Sequence, residues 1–323
     1  MARPLNILML GGAKRVSMAR HFISAAAAMG FDARIYSFEL NADVPVAAVG
    51  EVITGGRWSD PDILAQLDAA CVDKGIDIVL PFVDGAVEIA ARYSMEPGHA
   101  WSPVSAPDVC RAMFDKVVAD RVLCAAGVPL PLIVEDGEPQ FFPVIAKPRT
   151  GSASKGIVVV RDIDEWRSLS LDAERYIVQE YIGNRREYTL DCYIDRRGKV
   201  AAVSPRERIE VVGGEVSRTV TVSLPEGVEI ARKAIGATGL RGAVTVQLIE
   251  DVDTGRLMLM EINPRLGGGA VCSLYAGVNL PAMIVNDWLG NEVKPVEAAA
   301  GVNMTRYMQE VVFAPDNSVM TLK

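Results

Sequence analysis

The sequence predicts an α/β unit built on a parallel sheet, followed by an α+β unit with antiparallel sheets. In the first third of the chain, short apolar runs alternate with helical stretches. Further on, strand-length runs with period-two alternation take over. Between the two regimes, Pro97, Pro103 and Pro107 punctuate the chain and place a boundary near residue 106. Strand–helix alternation implies a parallel sheet with helices on both faces. Alternating strands imply antiparallel sheets with one covered face.

In the leading unit, the apolar run 5–10 is a buried strand that stops at Gly11-Gly12, and 16–29 is an alanine-rich helix. Strand 33–38, helix 61–74, strand 76–81 and helix 85–93 follow. A helix is expected over 108–126, with Pro107 before it, Asp108 at its N-cap and Gly127 at its end. Strands are expected at 142–147, 157–160, 175–181, 187–195, 200–209, 217–223, 243–250 and 257–263. Two helices fit at 226–238 and 280–289, and 314–323 reads as a weakly ordered tail.

Composition narrows the function. Half of the 323 residues are hydrophobic and 23% are charged, which is enough apolar material for a sizeable core. A net charge of -8 argues against a general nucleic-acid binder, although a local Lys/Arg cluster can still hold a small anion. The five cysteines are scattered with no CxxC pair, which speaks against a disulfide framework and a zinc site. Two histidines, His21 and His99, exclude a multi-His centre. No apolar run reaches the ~18 residues of a membrane span, so a cytoplasmic protein without a membrane partner is expected.

The densest chemistry lies in Glu261-Ile262-Asn263-Pro264-Arg265. An apolar strand delivers a carboxylate and an amide oxygen on alternate residues, so both project from one face. Hard cations such as Mg2+ take oxygen ligands and share them with phosphates, and the planar fork of Arg265 suits a phosphate. The turn 251–255 makes a hairpin that brings Gln247 toward Glu261, where its amide oxygen would be a further ligand. The loop 151–156 lies between two strands, and its small residues leave N–H groups free around phosphate oxygens. It lacks the GxxxxGK[ST] order of a P-loop. Lys147 ends an apolar strand, Lys116 sits in a helix, and 177–183 runs into a turn ahead of Glu187 and Asp191. Taken alone, the pieces also fit a solvated strand end, a flexible hairpin and a surface lysine.

In this order, the pieces resemble the ATP-grasp superfamily, most closely its carbamoyl phosphate synthase large-subunit-like branch. The resemblance rests on Asp115-Lys116, Ile145-Ala146-Lys147-Pro148, the loop 151–156, Gln179-Glu180-Tyr181-Ile182, Glu187 to Asp191, Gln247 and Glu261 to Arg265. It implies a pre-ATP-grasp α/β domain over 1–106, a small lid subdomain over 107–183 and a large subdomain with the metal site over 184–323. It implies that Lys116 and Lys147 bind phosphates and adenine, and that Gly151, Ser152, Ser154 and Gly156 cover the phosphates. Glu180, Tyr181 and Ile182 would meet adenine and Glu187 the ribose. Gln247, Glu261 and Asn263 would hold Mg2+, while Arg265, Arg206 and Lys147 would serve the chemistry.

The implied reaction activates a carboxylate as an acyl phosphate, with ADP released and an amine or similar nucleophile displacing phosphate. Positioning and charge neutralisation suffice for this, in keeping with a chain so poor in histidine. Synthases of that branch carry two such units and this chain one, so a stand-alone carboxylate–amine ligase fits better, with a homodimer as the default assembly. The substrates are expected near Gly267-Gly268-Gly269, Cys272 and Lys14-Arg15. A non-catalytic nucleotide-binding or regulatory subunit is the alternative. A dinucleotide oxidoreductase is disfavoured because Gly11-Gly12-Ala13-Lys14 lacks GxGxxG.

Overall fold

The run from Leu5 to Leu10 has no polar alternation, so as a strand it must be covered on both faces. The computed structural model, which describes residues 3–134, 137–151, 156–169, 171–172 and 174–320, places it there. β1 (Arg3–Leu10), β2 (Phe31–Glu39), β3 (Glu51–Thr54) and β4 (Ile78–Pro81) form a parallel sheet in the order β3-β2-β1-β4. Leu5, Ile7 and Met9 pack on α1 (Val16–Ala28), while Leu8 and Leu10 pack on α2 (Ile63–Lys74) and α3 (Asp84–Tyr93). β3 was not expected; its four residues lie at the sheet edge, too short for a clear period.

The expected helix 108–126 is two helices, α4 (Pro107–Phe114) and α5 (Lys116–Ala125). Asp115 breaks it. Its backbone is extended, and its carboxylate accepts the N–H groups of Val117 and Val118 at 3.1 and 3.2 Å as the N-cap of α5. Arg149 Nε holds the same carboxylate at 2.7 Å. Asp108 lies in the first turn of α4 rather than at its N-cap, because Pro107 takes the first helical position.

A small antiparallel sheet in the order β6-β5-β7 follows, from β5 (Val144–Pro148), β6 (Val158–Val160) and β7 (Tyr176–Glu180), with α6 (Ile163–Ser168) before β7. The large sheet has β8 (Arg185–Ile194), β9 (Val200–Val212), β10 (Glu215–Thr221), β11 (Gly242–Asp251) and β12 (Leu257–Asn263). α7 (Pro225–Thr238) precedes β11. After β12 come α8 (Ala270–Tyr275), α9 (Leu280–Trp288), β13 (Val296–Glu297) and β14 (Asn303–Thr305). The sheet runs β12-β11-β8-β9-β10-β14, and β13 adds a parallel pairing to β9.

One face of this sheet is apolar. Leu190, Cys192, Val244, Val246, Leu248 and Leu259 pack on Ile230, Ala234 and Ile235 of α7 and Leu123 of α5. α9 returns to the leading unit, burying Leu280, Met283 and Ile284 in the same core as Phe22 and Ile7. In the described part of the tail, Phe313 bridges Val319 and Asn317 has a positive φ. Among the described residues no helix is long and apolar enough to cross a membrane.

Gly242 marks where the linker crosses the large sheet. Its φ is +74°, and a methyl group there would lie 1.7 Å from the Pro103 carbonyl oxygen. Gly242→Ala is expected to lower stability by about 3 kcal/mol. Gly236→Ala, on an open helical surface, is expected to raise it by ~0.5–1 kcal/mol. Denaturant melts test this; a Gly242→Ala variant as stable as the natural chain would contradict it.

Candidate functional site

Behind the apolar face lies a polar one, assembled by strand register. Thr189 on β8 stands opposite Arg206 on β9 and Gln247 on β11, and Gln247 stands opposite Glu261 on β12. Because side chains alternate, Glu187, Thr189 and Asp191 share this face with Arg206, Arg208, Thr245 and Gln247. β12 joins them through a bulge. Gln247 pairs with Glu261 and Leu248 with Leu259, which leaves Met260 as an extra residue. Leu257 and Leu259 enter the core before the bulge and Ile262 after it. That change of parity turns Glu261 and Asn263 to the polar side.

Glu261 Oε1 accepts from Gln247 Nε2 at 2.7 Å and from Asn263 Nδ2 at 2.9 Å. Both amides thus converge on one carboxylate oxygen, and rotation of each amide would present its oxygen to a cation there. One carboxylate and two amides make a hard-oxygen set. Among the described residues no group of three or more His, Cys, Asp or Glu is arranged around a metal. The set therefore fits an ion such as Mg2+ that takes its remaining ligands from phosphate and water.

Lys147, near the end of β5, donates to Gln179 Oε1 at 2.8 Å, and Gln179 Nε2 donates to Asp120 on α5 at 2.5 Å. Gln179 and Asp120 are buried. Burial pulls the Lys147 ammonium down from its usual range, opposed by the charges of Asp120 and Glu261. Lys116, at the start of α5, donates to the Gly151 carbonyl at 3.0 Å. It also acts on both Asp120 and Lys147 through its charge. Gly151 and Gly156 are exposed with positive φ; Ser152 and Ser154 lie outside the described residues.

Arg206 is 2% exposed and pairs with the fully buried Asp191 at 2.9 Å, while its Nη1 has no hydrogen-bond partner. Ser273 Oγ donates to Asp191 at 2.6 Å. A methyl group at Gly269 would lie 2.6 Å from Arg206 Cζ, so only glycine lets that loop close over the guanidinium. Arg208 meets Glu187 at 3.4 Å, and Arg185 bonds the other Glu187 oxygen at 3.0 Å. Cys272 is buried and donates to the Val302 carbonyl, with its thiol pushed up by burial.

Arg265 turns to the leading unit, where its Nε bonds Asp84 at 2.5 Å. The Glu180 carboxylate points away from Lys147. Arg256 grips it at 3.1 and 2.7 Å, and the Leu132 N–H donates to it. The Glu180 N–H is bonded to the Leu132 carbonyl at 2.8 Å, so Glu180 offers a ligand only its backbone carbonyl. The Ile182 carbonyl accepts from Arg185, which also stacks on Tyr181. Asp84, Asp120, Gln179 and Asp191 were not assigned roles from sequence. Asp120, an acid four residues after Lys116 on a largely apolar helix, was the most readable of them.

Burial pushes the Asp120 carboxyl up to about 6, against the pull of Lys147 and Lys116. A raised carboxyl binds its proton more tightly in the folded state. Its contribution is therefore present below its ordinary 3.8 and lost as pH rises through about 6. Asp120→Asn should remove roughly 3 kcal/mol of this pH-dependent loss. The variant should thus gain on the natural chain between about pH 4 and about pH 7. Urea melts across that range measure the difference, and parallel stability curves would contradict it.

Comparison with known proteins places this geometry. A family profile described as "ATP-grasp in the biosynthetic pathway with Ter operon" matches residues 172–310. The alpha subunit of mitochondrial methylcrotonoyl-CoA carboxylase from Oryza sativa subsp. japonica is 25% identical over 57% of this chain and 31% of its own length. The carbamoyl phosphate synthase large chain of Bifidobacterium adolescentis is 24% identical over 58% of this chain and 18% of its own. This chain thus spans a third or less of either relative. The biotin carboxylase domain of Hydrogenobacter thermophilus 2-oxoglutarate carboxylase was solved as a dimer with MgADP and bicarbonate. It superposes with a TM-score of 0.73 at 18% identity, covering 92% of this chain and 73% of that one. The profile over 172–310 and the sequence relatives identify ATP-grasp sequence in this chain, and the solved structure shares its fold.

Proposed function

We propose that this chain is an ATP- and Mg2+-dependent ligase that activates a carboxylate as an acyl phosphate and delivers it to an amine or similar nucleophile, releasing ADP. The observation that carries the reading is the polar face of β9-β8-β11-β12, with the Glu261 amide pair and the Lys147 network brought together beside it. The leading unit over 1–106, the small sheet within 107–183 and the large sheet within 184–323 act as substrate domain, lid and catalytic domain.

In this reading Lys147 and Lys116 bind the phosphates, and the backbone of 180–182 meets the adenine edge. Glu187 takes the ribose hydroxyls, and Gly151 to Gly156 close over the triphosphate. Gln247, Glu261 and Asn263 would hold Mg2+, which when bound neutralises phosphate charge. Attack of the substrate carboxylate on the γ-phosphorus forms the acyl phosphate and breaks the bond to ADP. The nucleophile then forms its bond to the acyl carbon, and phosphate leaves with the electron pair. The fork of Arg265 meets the transferring phosphoryl group, and Arg206, held by Asp191, supplies a fixed positive charge beneath the loop 267–269. The related biotin carboxylase domain holds MgADP, which supports the nucleotide and metal parts.

An ADP-release screen over pooled amino acids and small acids tests the reading. Release should require Mg2+ and one carboxylate, and Glu261→Ala should cut it by about 100-fold or more. Turnover that survives Glu261→Ala combined with Asn263→Ala would sink the proposal. MgATP binding with no ADP formed against any pool would favour a regulatory subunit instead.

A further inference from the structure

Ligands of open parallel sheets bind outside the carboxyl ends of the strands. There the leading unit has a cavity of about 460 Å³, within the range that holds metabolite-sized molecules. Its walls come from the turn after β1, the end of β2 and the turn after β3, and they include Lys14, Arg57, Phe38, Leu40 and Trp58.

The charges around it are unevenly satisfied. Glu215 on its rim is held by Arg15 at 2.9 Å and by Arg306, and these two arginines pull its carboxyl down to about 2 against burial. Glu39 accepts from Ser37 Oγ at 2.6 Å. Glu215 is thus paired with two arginines, while Glu39 is held only by a hydroxyl. Lys14 and Arg57 are exposed, and among the described residues neither forms a salt bridge. Two such cations against the single carboxylate of Glu39 leave the open charge in the cavity positive.

The remaining wall is apolar and partly aromatic. Trp58 is wedged between Phe38, at 5.8 Å between ring centroids, and Gly85, where a methyl group would lie 2.9 Å from Trp58 Cδ1. Leu40 is 54% exposed beside it. A fixed indole and an uncovered leucine facing a cavity suit a flat apolar body.

Two links join the cavity to the phosphate centre. Val83 lines it, and the next residue, Asp84, bonds Arg265. Glu215 lines it too, and its partner Arg306 donates to the Gly268 carbonyl in the loop after Arg265. We propose that this cavity is the second-substrate pocket and takes a small molecule with an anionic head, carboxylate or phosphate, on a flat apolar body. The head lies against Lys14 and Arg57, the body against Trp58 and Leu40, and the reacting end faces Arg265. This inference rests on the ligase reading for what the pocket serves, but the binding itself does not.

Titration of the full chain with benzoate, benzyl phosphate, benzyl alcohol and inorganic phosphate, read by thermal shift with and without MgATP, tests it. One or both aryl anions should raise the melting temperature more than benzyl alcohol or phosphate does, and their ranking separates carboxylate from phosphate heads. Lys14→Ala and Arg57→Ala should each weaken that anion about tenfold. Trp58→Leu should weaken benzoate but leave MgATP binding intact. The proposal is overturned if neither aryl anion binds the natural chain, or if the lysine and arginine variants bind it unchanged. Failure of MgATP to bind at all would instead count against the ligase reading.

Discussion

The cross-strand register of β12-β11-β8-β9 is the constraint on which the rest depends. Burial of Leu190, Val246 and Leu259 against α7 fixes which residues face the helices, and so fixes which face the opposite side. A slip of one residue would send Thr189 and Asp191 into the apolar layer and Leu190 out of it. Apolar burial at roughly 25 cal/mol per Å2 makes such a slip expensive. The polar site is therefore positioned by the hydrophobic core behind it. The bulge at Met260 adds the last step, since without it β12 could not bury Leu259 and Ile262 while turning Glu261 and Asn263 to the other side.

Once placed, the site is held by buried polar contacts that add little net stability but allow few alternative arrangements. Asp191 binds Arg206 and Ser273, so neither the guanidinium nor α8 can turn independently. Gln179 bridges Lys147 and Asp120, so the lysine on the small sheet is referenced to α5. Arg265–Asp84 and Arg15–Glu215–Arg306 then tie the large sheet to the leading unit, and α9 anchors that union in a shared core. The same tethering brings Glu215 of the large sheet to the rim of the cavity beside Lys14, whose other lining residues belong to the leading unit.

Much of this was legible in the sequence because it is local. Leu5 to Leu10 reads as a covered strand, and the turn 251–255 reads as a hairpin that brings Gln247 toward Glu261, the pairing the structure has. The break at Asp115 was not legible, because Asp108, Pro107 and Gly127 describe a plausible single helix. The break depends on Arg149, a residue remote in sequence, holding the capping carboxylate. The bulge at Met260 was hidden too: Leu257-Met258-Leu259-Met260 is apolar throughout, so no period marks the extra residue. Asp84 and Glu215 became visible only when the leading unit docked, and Glu180 proved to be a side-chain latch to Arg256. Apart from the bulge, which is set within one hairpin, each deciding contact joins residues at least 34 positions apart.

The most direct measurement is a crystal structure with Mg2+ and a non-hydrolysable ATP analogue. The triphosphate should lie over Gln247, Thr189 and Arg208, with Lys147 on its phosphates. An ion should sit at about 2.1 Å from oxygens of Glu261 and Asn263. A nucleotide bound elsewhere, or a metal with no contact to Glu261, would contradict the assignment of this face.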